Sequence, residues 1–238
     1  LYADENLLTL SEGERQSFFR DVRNRELAVI ARVDGKDQVV AIPEDVLFAS
    51  LNADDAADAR IIRHEGLPFG IRVDRYLVNS ALRPRLPNDS VTTRGLGRFV
   101  QAEPKDPVTG MDDAHDMPAV ELTLVDANGD TVDSLLCAQQ VSEMSSEPLA
   151  EQVTADNRDF YFYLRFKRNY RDYEVELIDV KSEKYVGSST PKSFESEIVI
   201  HDKEGNTETF TLWMNNPLRY RGETFYQSGY QELPGGSE

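Results

Sequence analysis

Apolar and polar residues alternate with a period of two over much of this chain, and Gly, Pro and β-branched residues punctuate it every eight to twelve positions. Both features belong to short antiparallel strands joined by tight turns. In residues 26–42 two apolar runs flank Asp34-Gly35, a dipeptide favoured by two-residue hairpin turns. In 67–79, Phe69, Ile71 and Val73 share one face while Arg72 and Asp74 take the other, which predicts a strand. Residues 119–137, "AVELTLVDANGDTVDSLLC", predict a second hairpin around Asn128-Gly129. Across 160–167, Phe160, Phe162, Leu164 and Phe166 alternate with Tyr161, Tyr163, Arg165 and Lys167. Across 173–180, Val175 and Leu177 alternate with Glu174 and Glu176. Further strands are expected over 194–201, from Phe194, Ser196, Ile198 and Ile200, and over 208–214, from Phe210, Leu212 and Met214.

Helical periodicity is scarce. Pro43 opens one short helical signal, "PEDVLFASL", with acids in its first turn where the helix dipole favours them. Residues 52–59, "NADDAADA", either prolong that helix or form an acidic loop. The Pro- and Asp-rich stretch 103–118 is expected to be a loop, and 142–158 a connector. The expected fold is all-β: a β-sandwich or two stacked antiparallel β units with at most short helices. The expected division is an N-terminal unit over 1–141, the connector, and a C-terminal unit over 159–233. "ELTLVDANGDTVDSLLC" and "EIVIHDKEGNTETFTLW" align without a gap, Asp126 on Asp202 and Gly129 on Gly205. Each follows a strand carrying an aspartate, in "IRVDRY" and "ELIDVK". The echo reads either as two related β units or as the ordinary likeness of two hairpins with glycine turns.

Composition narrows the function classes. A chain of 238 residues buries roughly 70% of the surface its unfolded form exposes, so it needs no covalent staples. Its single cysteine, Cys137, excludes an internal disulfide. The net charge of −17 opposes nucleic-acid binding, which needs clustered Lys and Arg against phosphates. No apolar run approaches the ~18 residues of a membrane helix, and no signal peptide is visible. The chain begins with Leu and stops at "LPGGSE", which reads as a domain cut from a longer protein.

Candidate chemistry is sparse. His64, His115 and His201 lie too far apart in sequence to share a helix face or a short metal loop. Asp112, Asp113, His115 and Asp116 in "MDDAHDM" offer oxygen and imidazole ligands for a divalent cation; the plainer reading is a solvated acidic loop. "DANGD" at 126–130 resembles the start of a calcium loop, but its glycine falls one place early and Cys137 stands where the closing Glu belongs. Cys137 ends an apolar run, as a small buried residue would. No phosphate loop, nucleophile elbow or zinc signature occurs, and no carboxylate pair is singled out by spacing. The expectation is a non-enzymatic domain with no catalytic residue, metal or bound cofactor.

The last third has a more specific character. "FYLRFKRNYRDYEVELID" reads as a lead-in strand pair, and "TPKSFESEIVIHD" carries Thr190, Pro191, Lys192 and Phe194. The phrase "NNPLRYRGETFYQ" carries Asn216, Pro217, Leu218, Arg219, Tyr220, Gly222, Phe225, Tyr226 and Gln227. Pro217 suits a strand start, Gly222 a tight turn, and period two sends Phe225 to the core and Tyr226 outward. These pieces resemble the ResB family of cytochrome c biogenesis proteins, the membrane-anchored component of the system II haem-delivery complex. The resemblance implies an extracytoplasmic domain on the periplasmic side, held by membrane helices of the longer protein. It implies haem as the cofactor of the whole complex rather than of this domain. It implies a partner membrane protein and apocytochrome c as binding partners. No histidine and no thiol falls in a matching motif, so none is assigned to haem. The competing reading is a carbohydrate- or cell-surface-binding β-sandwich, calcium-assisted through Asp112, Asp113 and Asp116.

Overall fold

The computed structural model describes residues 6–53, 59–85, 94–109, 115–143, 149–184, 191–213 and 215–229. In chain order the elements are β1 (Arg15–Val33), β2 (Lys36–Pro43), α1 (Glu44–Asn52), β3 (Ile61–Ile62), β4 (Gly70–Leu77), β5 (Ser80–Pro84), β6 (Val100–Pro104), β7 (Ala119–Val125), β8 (Thr131–Ala138), α2 (Gln139–Ser142), β9 (Glu151–Ala155), β10 (Arg158–Lys184), β11 (Pro191–Asp202), β12 (Thr207–Trp213), β13 (Leu218–Tyr220) and β14 (Glu223–Phe225). Among the described residues the fold is all-β with two short α-helices, as the alternation predicts.

The chain forms two compact units, residues 22–167 and residues 1–21 with 168–238. The expected boundaries at 141 and 159 differ from these because the strands at the divide are long: β1 and β10 each contribute residues to both units.

In the unit 22–167, one core takes Leu27 and Val29 from β1, Ile42 from β2, Ile71 and Val73 from β4, Leu122 and Leu124 from β7, and Phe160, Phe162 and Leu164 from β10. Phe69 meets Phe160 edge-on and stacks on Phe162, with ring centroids 5.1 Å and 5.9 Å away. The order β3-β4-β7-β8 makes one sheet of this unit. Asp34 and Gly35 both take positive φ between paired Val33 and Lys36, so the first hairpin turns as its dipeptide dictates. Helix α1 follows Pro43, carries Glu44 and Asp45 in its first turn and stops at Asn52; most of the acidic run beyond it lies outside the described residues.

Residues 142–158 are more than a connector. β9 pairs with the start of β10 through Ala155↔Arg158, and Asp156 and Asn157 make that turn at positive φ. The strands expected over 160–167 and 173–180 are one 27-residue strand, β10, rather than a pair. Arg165, on the polar side of that alternation, is buried.

In the unit 1–21/168–238, the core contains Phe19 from β1, Tyr173 and Val175 from β10, Ile198 and Ile200 from β11, and Leu212 from β12. Here β10, β11 and β12 form an antiparallel meander.

That meander repeats the β4-β7-β8 meander of the other unit. Asp126 Oδ1 accepts the N–H groups of Asn128 and Asp130, both at 2.8–2.9 Å. Asp202 Oδ1 accepts those of Glu204 and Asn206, both at 2.9 Å. Gly129 and Gly205 hold φ of 89° and 88°. Upstream, β4 skips Asp74 between Val73↔Leu122 and Arg75↔Glu121. β10 skips Ile178 between Leu177↔Ile198 and Asp179↔Glu197. Both bulges thus face the aligned residue pair of the following strand.

Candidate functional site

The C-terminal phrase folds as the hairpin β13–β14. Tyr220 pairs with Glu223, and the intervening Arg221 and Gly222 take φ of 46° and 85°, the two-residue turn geometry that glycine admits without strain. The hairpin lays Leu218, Tyr220 and Phe225 on the core of its unit. Tyr220 meets Tyr173 edge-on at 5.1 Å and Phe210 at 6.1 Å, and Phe225 lies 5.7 Å from Phe19. Tyr226 is 71% exposed and Arg219 is exposed, so the inward and outward positions follow the period of two.

One carboxylate ties the hairpin to β10. Glu223 Oε1 accepts from Arg171 Nε and Nη2 at 2.7 and 2.6 Å, and Glu223 Oε2 accepts from the Tyr173 hydroxyl. Burial raises the Glu223 carboxyl, but the hydrogen bonds from Arg171 and Tyr173 outweigh it and leave the pKa below the ordinary value. Desolvation, then Glu223, pushes the Tyr173 hydroxyl up. Arg221 crosses to Asp172 at 2.7 Å. Asn216 bridges back to Trp213, donating its N–H to the Trp213 carbonyl at 2.8 Å. Pro217 and Gln227 are half-buried. Phe194 is half-buried opposite Ser182 on β10. Pro191 and Lys192 lie in β11, and Thr190 falls outside the described residues.

Of the candidate ion ligands, the two that are described have separate partners. Asp112 and Asp113 fall outside the described residues. His115 meets the Phe166 ring edge-on at 6.3 Å, and Asp116 Oδ1 accepts the Val108 N–H at 2.7 Å. Among the described residues no three His, Cys, Asp or Glu are arranged to hold an ion. Asp126, the first residue of the calcium-like stretch, caps its own turn; the Asp130 N–H is the main cause of its lowered pKa. The histidines keep separate partners: His64 Nδ1 accepts the Gly66 N–H at 3.0 Å, His115 faces Phe166, and His201 Nε2 lies 2.6 Å from Glu176. Cys137 is buried, and desolvation pushes its thiol well up, away from the reactive thiolate.

Two buried polar arrangements escape sequence reasoning. Arg165 Nε and Nη2 both approach Glu26 Oε1 at 2.9 Å, with side chains 4% and 6% exposed. Glu151 of β9, 7% exposed, accepts the Leu96 N–H at 2.8 Å; burial raises its pKa. Its partner backbone is unusual. Gly95 has φ 65° and ψ −146°, and a Cβ built there would sit 1.5 Å from Glu151 Oε2. The phrase "RGLGR" and the alternation in "EQVTA" were the available signals.

The β10–β11–β12 sheet carries its core on one face only. On the other, register places Glu174↔His201↔Thr207, Glu176↔Val199↔Thr209, Asp179↔Glu197↔Thr211 and Lys181↔Glu195↔Trp213 side by side. The bulge at Ile178 keeps Asp179 and Lys181 on the face of Glu174 and Glu176. Arg15 reaches this face, 3.4 Å from Glu174 and 3.1 Å from Glu176. The face therefore holds five carboxylates against one arginine, one lysine and one histidine.

Among known families, the model described as the ResB-like family matches residues 128–237. No curated protein matches the chain. Among the described residues no helix is long and apolar enough to cross a membrane.

Proposed function

Starting from a chain whose residues 128–237 belong to the ResB-like family, we propose that it is the extracytoplasmic domain of a membrane-anchored cytochrome c biogenesis protein. It acts without catalysis, as a module that holds the system II complex together and presents apocytochrome c for haem attachment. Haem belongs to the complex; this domain contributes protein surface. The observation that carries the reading is how the family's C-terminal residues are used. Leu218, Tyr220 and Phe225 pack inward, while Glu223 and Arg221 anchor the hairpin to β10 and β11. These are scaffold roles, and they leave a one-sided acidic sheet as the chemically distinctive surface. Electrostatic steering by such a surface speeds encounter with basic partners and weakens steeply with ionic strength.

Titration of the chain with apocytochrome c at low and high salt tests this, with saturable binding that weakens with salt as the expected result. Salt-independent binding, or none, counts against it. Titration with haem, followed by absorbance, separates a second possibility: a saturable Soret shift would move haem onto this domain.

A further inference from the structure

The β12 strand ends its sheet, and among the described residues no strand pairs along its outer edge; at its C-terminal end Asn216 donates its N–H to the Trp213 carbonyl at 2.8 Å and its side-chain amide to the Thr211 carbonyl at 3.5 Å, so the open part of the edge is Thr207–Phe210. Natural sheets guard such edges with Lys, Pro, bulges or covering segments. β12 has none of the first three: its sequence is "TETFTLW", and its pairing with β11 is regular. The repeated meander shows what a covered version looks like. The matching strand β8 has Leu135, Leu136, Cys137 and Ala138 at 2% exposure or less, and contacts the Leu96–Arg98 turn, α2 and β9. On β12, Thr207, Glu208, Thr209, Thr211 and Trp213 are all exposed.

We propose that the β12 edge is a docking site for an extended polypeptide carrying Lys or Arg at alternate positions, which adds to the sheet as its next strand. Main-chain hydrogen bonds supply the attachment in this mode, and alternate side chains supply selectivity. The side chains on the open face of an added strand stand beside Thr207, Thr209 and Thr211. These are short, so a long cationic side chain passes over them towards Glu195 and Glu197 in the adjacent strand, with Asp179 and Glu176 beyond. An acidic strand meets like charge at the same positions. This deepens the presentation reading and rests on it only for the identity of the natural partner.

Trp213, the sole tryptophan, is 47% exposed at the end of this edge and reports on it. The probe is a short synthetic peptide alternating Lys and Thr, added to the full chain. The expected result is a saturable change in Trp emission with slowed hydrogen exchange at the amides of 207–212. The same peptide with alternate N-methylated amides should not bind, and Thr209→Lys should abolish binding while leaving the melting temperature unchanged. Glu195→Gln with Glu197→Gln should weaken binding about three- to tenfold, the size of two exposed ion pairs. Equal binding by the N-methylated peptide, protection elsewhere than β12, no binding at all, or an edge already paired with a second copy of the chain would each overturn the proposal. If apocytochrome c binds without protecting 207–212, the edge assignment fails and the presentation reading stands. If the peptide adds to β12 and apocytochrome c does not bind, the reverse holds.

Discussion

Replacing Gly95 with alanine should destabilise the unit 22–167 severely, through two separable causes. Its φ of 65° and ψ of −146° fall in a region that side chains avoid, at a cost of about 1–3 kcal/mol. The new methyl would also lie 1.5 Å from Glu151 Oε2 and 2.5 Å from its Cδ, so the carboxylate must leave. In leaving it gives up the Leu96 N–H at 2.8 Å, a charge-assisted bond contributing about 1.5–3 kcal/mol. The sum, about 2.5–6 kcal/mol, is a large share of the roughly 5–15 kcal/mol that holds a domain folded. Urea unfolding followed by far-ultraviolet circular dichroism measures the loss. The causes separate in a double-mutant cycle with Glu151→Ala. Because both single changes destroy the same hydrogen bond, the double variant should lose about 1.5–3 kcal/mol less than the sum of the singles. A Gly95→Ala chain within about 0.5 kcal/mol of the parent, the range of inert surface changes, would refute the close approach. Strict additivity would refute the shared bond.

Arg165→Ala should cost about 3–5 kcal/mol by leaving Glu26 charged and buried, while Glu26→Leu with Arg165→Met should recover most of it; urea midpoints decide. Gly222→Ala places a Cβ at φ 85° and should cost about 1–2 kcal/mol, seen as faster hydrogen exchange in β13–β14, whereas Tyr226→Ala should change stability by less than about 0.5 kcal/mol. Two glutamates should act on stability with opposite sign. The Glu223 carboxyl lies below the ordinary 4.5 in the folded chain, so its contribution is complete above pH 4.5 and disappears as pH falls through the folded value; Glu223→Gln should flatten that acid limb. The Glu151 carboxyl lies above 4.5, so the folded chain keeps a proton the unfolded chain has released, and its contribution declines as pH rises through the folded value. Glu151→Gln should remove this decline, with carboxyl titrations by nuclear magnetic resonance as the direct check.

Local chemistry was legible where a few adjacent residues decide the conformation. Asp34-Gly35 marks its turn, Pro43 the start of α1, and Phe225 with Tyr226 the inward and outward positions where β14 ends. Asp156-Asn157 makes an equivalent turn, yet it sits among polar residues and reads as a connector. The length of β10 was hidden for a different reason. Its middle, "KRNYRD", shows no apolar alternation, because cations do the covering: Arg168 lies 4.0 Å over the Phe18 ring and Arg171 5.3 Å over Phe19. Both rings come from β1, some 150 positions upstream. The same distance hides the Glu26–Arg165 pair and the membership of 1–21 in the C-terminal unit. In the candidate site the inward positions of the family phrase followed from period two. The acidic sheet face did not, since it depends on a bulge at Ile178 that restores parity after one skipped residue.

That bulge also decides between the two readings of the internal echo. Glycine turns of one type make hairpins look alike, and the matched caps of Asp126 and Asp202 need no further cause. Turn chemistry, however, does not reach across the hairpin to a third strand. The skipped residues Asp74 and Ile178 lie opposite the aligned pairs Leu122/Glu121 and Ile198/Glu197, in strands whose own sequences differ. Bulges re-aim side chains and persist as built features, so their coincidence identifies two copies of one three-stranded unit. The copies then differ at their third strand. β8 bulges at Val132 and is buried under its own chain, whereas β12 runs straight and stays exposed. A strand kept regular, uncharged at most of its positions and open at its edge is hazardous in water unless something pairs with it, and the copy that retains this hazard lies wholly within the ResB-like stretch.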